Sequence, residues 1–166
     1  MYSSHLYRLL ALGLGVAAAP ASQAAEAAAS LVCGNTRFTM TSQCTAIEHT
    51  RLPLCRRQIL TIEPPGTKPR TLESSARLKD GSYDGATDHW ACVPGTSRDY
   101  LLLWSNNGGN CPACEWVDII DLDGSLLVRG RKPNGESNDA EYERVYKKLG
   151  LPEEFPDDAF QAIPLM

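Results

Sequence analysis

The chain has 166 residues, a formal charge of −4 and six cysteines. That length fits a single domain, and the net acidity argues against a protein that grips nucleic acid through its phosphates, which takes a basic face. After the first thirty residues no stretch is apolar for long enough to cross a bilayer, so the mature chain is expected to carry no membrane span.

The first segment reads as a cleavable leader. Arg8 precedes an apolar run from Leu9 to Ala19, Pro20 breaks it, and small residues follow at Ala21, Ser22, Ala24 and Ala25. This is the pattern of a secretory signal peptide over residues 1–25, with cleavage after Ala24 or Ala25. A lipidated Cys33 fits less well, because Val32 precedes it and polar residues separate it from the apolar run. Export predicts a periplasmic or extracellular location and an oxidising environment. Losing Arg8 changes the charge from −4 to −5.

The six cysteines, Cys33, Cys44, Cys55, Cys92, Cys111 and Cys114, then default to three disulfides. Their order suggests Cys33–Cys44 closing a hairpin, Cys55–Cys92 tying an early strand to a later one, and Cys111–Cys114 closing a tight loop. The expected class is mainly β (α+β): an antiparallel meander, small sheet or sandwich, stapled by disulfides, with one C-terminal helix packed on it. A single domain is expected over residues 26–150.

Within it, Arg37 to Thr41 alternates, placing Phe38 and Met40 on one face of a strand. Gln58 to Glu63 is rich in β-formers and stops at Pro64-Pro65-Gly66. Thr71 to Leu78 is a weaker strand, ended by Asp80-Gly81. His89 to Val93 alternates again, with Trp90 and Cys92 opposite Ala91 and Val93. Tyr100 to Trp104 is continuously apolar, as in a strand covered on both faces. Glu115 to Leu122 and Leu126 to Val128 flank Asp123-Gly124, the clearest hairpin signal in the chain. Residues 88–129 are therefore expected to form a four-stranded antiparallel meander.

Arg131 to Asn138 reads as a flexible linker. A helix over residues 138–149 follows: Asn138 as N-cap with Glu141 completing a capping box, an apolar stripe of Tyr142, Val145, Tyr146 and Leu149, and Gly150 then Pro152 as the stop. Residues 151–166 read as an acidic tail punctuated by prolines.

Four features bear on chemistry. Cys111-Pro112-Ala113-Cys114 has the spacing of thiol–disulfide oxidoreductases, in which a helix begins at the motif and lowers the first thiol's pKa; here a strand follows, so a structural bridge is expected. A zinc site would want a second such pair, and none exists; no metal or other cofactor is expected. Asp118, Asp121 and Asp123 before Gly124 lack the ligand spacing of a calcium loop, with Ile119 where an oxygen donor is needed. His49 follows Glu48 and His89 follows Asp88, but neighbours on a strand point to opposite faces, so neither pair is expected to form a dyad.

The polar loop from Ser105 to Ala113 contains Asn107-Gly108-Gly109 and lies between Trp104 and Trp116. Aromatic residues beside a pinned polar loop can make a recognition surface, and Asn106, Asn107, Asn110 and Trp116 are the expected contact residues. The rival expectation is that all three tryptophans belong to the core. Residues 115–166 carry twelve acidic groups against six basic ones, a balance that would favour a cationic partner. These features point to an exported, non-enzymatic protein that binds another protein. Small bacterial inhibitors and toxin-neutralising proteins share its size and compartment. A thiol–disulfide exchange protein using Cys111 and Cys114 is the second reading, and a structural envelope protein the third. Oligomeric state is not specified by the sequence.

Overall fold

The computed structural model describes residues 25–46, 53–73, 85–132, 134–156 and 158–165. The leader, Glu48-His49, most of the stretch from Thr71 to Leu78, and Asp80-Gly81 lie outside the described residues.

Strands β1 (Ala25–Cys33), β2 (Thr36–Thr45), β3 (Leu54–Glu63) and β4 (Arg70–Glu73) form one antiparallel sheet in that order. The second sheet runs β8 (Leu126–Val128), β7 (Glu115–Ile120), β6 (Asp99–Asn106), β5 (Ala86–Pro94), β9 (Gln161–Ala162). The meander expected over residues 88–129 is its first four strands. Turn chemistry holds it in register: at the β7–β8 turn the Gly124 N–H donates to Asp121 O at 2.8 Å.

The two sheets face each other across an apolar layer. Phe38, Met40, Leu60 and Ile62 from the first meet Trp90, Leu101, Leu103 and Ile120 from the second. Period-two alternation puts these side chains inward. The other face of the second sheet is covered too. Ala91, Val93, Tyr100, Leu102 and Ile119 pack with Val145 of helix α1 (Asp139–Leu149) and with Leu151. This explains why β6 is apolar without alternation. The architecture is thus sheet on sheet on helix, with the middle sheet buried on both sides.

Gly150 ends α1 in the left-handed conformation at φ 64°, where a side chain would be strained. The capping box is absent: no side chain caps α1, and the Asn138 amide instead donates to Arg129 O at 2.9 Å. The expected linker before α1 is a hydrogen-bonded turn. Arg131 bridges Ser137, and the Lys132 N–H donates to Glu136 O at 2.8 Å. The last stretch is not a free tail. It buries Leu151 and Ile163 and supplies β9 to the edge of β5.

All six cysteines are paired, but only one bridge follows the expected order. Cys33–Cys92 joins the two sheets and Cys44–Cys55 joins β2 to β3, correcting Cys33–Cys44 and Cys55–Cys92; Cys111–Cys114 is as expected. Register decides the second bridge, because Cys44 and Cys55 sit directly opposite one another. Among the described residues, no helix is long and apolar enough to cross a membrane.

Candidate functional site

At one end of the second sheet a loop joins β6 to β7. Its backbone is tied at several points. The Asn107 N–H donates to Cys114 O at 3.0 Å and the Cys114 N–H to Cys111 O at 2.9 Å. The Asn106 carboxamide oxygen accepts from the Gly108 N–H at 3.2 Å, and that of Asn107 from the Gly109 N–H at 3.0 Å. The Cys111–Cys114 bridge closes the base. Cys114 is buried and Cys111 exposed. Glu115 opens β7 immediately afterwards, so no helix dipole acts on Cys111.

The expected contact residues divide accordingly. Asn110 is exposed, whereas Asn106 and Asn107 are half-buried: Asn107 turns its side chain to the loop, and Asn106 divides its own between the loop and Asp88. Trp116 is 7% exposed, as the rival expectation of a core tryptophan has it, with the Arg131 guanidinium 4.9 Å above its ring. Trp90 is core as well, at 1%. Trp104 alone of the three is half-buried.

Beside the loop lies a cleft of about 340 Å³ lined by Asp88, His89, Trp104, Asn106, Glu115 and Phe160. Three elements and the C-terminal segment converge here. Trp104 and Phe160 meet edge to face, centroids 5.4 Å apart, and Phe155 extends the aromatic run. Asn106 and Glu115 are cross-strand partners on β6 and β7.

Asp88 and His89 come from β5, and their side chains meet: His89 Nδ1 is 3.1 Å from Asp88 Oδ1. Strict alternation forbids this. A shift of register between Thr87 and His89, where β5 pairs with β6, places an extra residue at Asp88 and turns both side chains toward the cleft. Sequence reasoning missed the pair because it assumed unbroken pleating. No sequence signal marks the bulge: with the sheet covered on both faces, burial of both Thr87 and Trp90 fits either phase of the pleat.

Asp88 is held from two further sides. Its Oδ2 accepts from the Asn106 amide. Its backbone carbonyl accepts the Ile163 N–H at 2.7 Å, which carries Phe160 into place. Asp88 Oδ1 is buried and, apart from its 3.1 Å contact with His89 Nδ1, has no hydrogen-bond partner among the described residues.

A fully buried polar group sits directly behind the bulge. Gln58 of β3 accepts the Thr87 N–H and donates to Thr87 O, both at 2.8 Å, and Thr87 Oγ1 lies 2.8 Å from Ser105 Oγ. The cleft therefore rests on a rigid floor.

A second groove, about 430 Å³, runs along α1 between Tyr142, Tyr146 and Leu151. Of its three charged residues, Glu143, Lys147 and Glu153, the first two pair with each other along the helix. Elsewhere, Asp121 and Asp123 are occupied in the β7–β8 turn: Asp121 faces Arg98 at 3.4 Å, and Asp123 accepts the Ser125 N–H at 2.8 Å. No group of three or more His, Cys, Asp or Glu residues able to hold a metal ion occurs among the described residues.

No family model, no curated protein and no solved structure matches this chain.

Proposed function

We propose that this is an exported, non-enzymatic protein that binds another protein through loop 106–114 and the cleft beside it, on the build of a small inhibitor or toxin-neutralising protein. The observation that carries this reading is the tied loop. A surface already fixed by a disulfide and four backbone-directed hydrogen bonds loses little conformational entropy on docking. The adjoining cleft offers two aromatic rings and two carboxylates, the combination of anchor and polar contacts that dominates protein recognition.

Export is supported by the leader pattern of residues 1–25 and by three disulfides, which persist where thiols are oxidised.

The test is affinity capture with the mature protein, using Asn110→Ala and Trp104→Ala beside the parent. A partner retained by the parent and lost from either variant supports the reading. Capture that ignores both substitutions contradicts it.

The exposure of Cys111 keeps thiol–disulfide exchange as a second reading. Rapid reduction of Cys111–Cys114 by glutathione, with the other two bridges intact, would favour it over binding.

A further inference from the structure

We propose that the cleft is a socket for an arginine side chain of the partner, with the guanidinium held by Asp88 and Glu115 against Trp104 and Phe160. This deepens the binding reading and rests on it. The six lining residues include two carboxylates, no lysine and no arginine, and the one basic group, His89, lies against Asp88. The cleft therefore favours a cation over an anion, and an ion over a neutral ligand.

Asp88 Oδ1 adds a specific demand. Buried carboxylate oxygens are normally hydrogen-bonded, yet this one only meets His89 Nδ1 at 3.1 Å without hydrogen-bond geometry, whereas Oδ2 of the same group accepts from Asn106. A donor that took the place of the His89 ring would complete it. Glu115, exposed on the next strand but one, supplies a second carboxylate from the opposite side.

Guanidinium suits this geometry better than ammonium. It is planar, weakly hydrated and forked, so it can donate to two carboxylates while its face lies on an aromatic ring. An ammonium is a compact, strongly hydrated point charge that gains less from the aromatic walls. A volume of about 340 Å³ is at the lower end for small-ligand sites and accommodates one long side chain.

The test uses the intact mature protein and N-acetyl-arginine methylamide, followed by proton–nitrogen NMR at the Trp104 indole and the Asn106 side-chain amide. The citrulline analogue, which has the same shape without the charge, is the control, and N-acetyl-lysine methylamide and a neutral monosaccharide are the competing chemistries. Saturable shifts at both groups are expected, with a Kd on the order of 1 mM and at least tenfold tighter than for citrulline. Glu115→Gln, an exposed change that leaves the fold intact, weakens the arginine probe at least threefold; Asp88→Asn weakens it further if it folds. Equal binding of citrulline, preference for the lysine or sugar probe, or no saturable shift overturns the socket. Partner capture that depends on Asn110 while the arginine probe fails to bind removes this inference alone. Arginine binding without partner capture removes the broader reading and leaves the socket.

Discussion

Gln58 and Thr87 are joined by two hydrogen bonds, both 2.8 Å, that reproduce with a side-chain amide the pairing a neighbouring strand would give. Strand β9 reaches only as far as His89 along the edge of β5, and no other described strand continues it beside Thr87. Gln58, wholly buried on the opposite sheet, fills the gap and donates at 3.1 Å to Ser42 as well. Gln58→Leu keeps the bulk but removes both bonds to the buried Thr87 backbone. Losing a bond to a buried polar group costs about 1–3 kcal/mol, so the variant should lose roughly 2–5 kcal/mol. Ser42→Ala should lose less than about 1.5 kcal/mol, because Gln58 keeps its bonds to Thr87. Urea unfolding followed at the tryptophans checks both, and equal midpoints for the two variants would refute this role for Gln58.

The sandwich and helix were legible in the sequence because Phe38 and Met40, Trp90 opposite Ala91 and Val93, and the turn at Asp123-Gly124 each follow one local rule. Strand β1 was not, because Ala25 to Ser30 is mostly alanine, which has little β preference of its own and joins the sheet only through its pairing with β2. The two mispaired bridges, four cysteines in all, depended on register and sheet packing, which chain order does not encode. The loop of the candidate site was visible as Asn107-Gly108-Gly109 and its CxxC bridge. The cleft was hidden by the bulge at Asp88 and by Phe160, which arrives from a segment that reads as a polar tail.

The three bridges should differ in worth. Chain-entropy estimates give about 4 kcal/mol for a closed loop the size of Cys33–Cys92, separated by 59 positions, about 3 kcal/mol for Cys44–Cys55, separated by 11, and under about 2 kcal/mol for Cys111–Cys114, separated by 3. Replacing Cys33 and Cys92 by alanine should lower the unfolding midpoint most. Replacing Cys111 and Cys114 should leave global stability nearly intact while loosening the recognition loop. The reverse order would show that the sheets are held together by something other than the bridge between β1 and β5.

Asp118 should make stability fall as pH rises from 4 to 6. Burial pushes its carboxyl up from 3.8 to about 6, and Arg129 and the Gly130 N–H offset only part of that effect. Because the folded pKa exceeds the unfolded one, the folded state binds the extra proton. The contribution is fully present below about 4 and is lost as pH climbs through about 6. A shift of about two units corresponds to roughly 3 kcal/mol. Asp118→Asn keeps an oxygen for the Gly130 N–H and should abolish this slope. Unfolding free energies of parent and variant at pH 4 and pH 7 check it; parallel profiles would contradict the assignment.

Gly109 is a close-approach position. A Cβ built there would collide with Cys114 Sγ and lie 3.0 Å from Asn107 Oδ1. Gly109→Ala should therefore displace the loop around its own bridge, lowering the hydrogen-exchange protection of the Asn107 and Cys114 amides at least tenfold. The sandwich core should keep its protection. Unchanged protection at both amides would show that the loop is not fixed in the way described.

The account turns on a crosslinked domain that matures outside the reducing cytosol and presents a fixed loop. Non-reducing peptide mapping of the protein recovered from its producing cells tests this most directly. The expected result is an N-terminus at Ala25 or Glu26 and the bridges Cys33–Cys92, Cys44–Cys55 and Cys111–Cys114. An intact Met1 in the cytosolic fraction, with all six thiols open to alkylation, would contradict it.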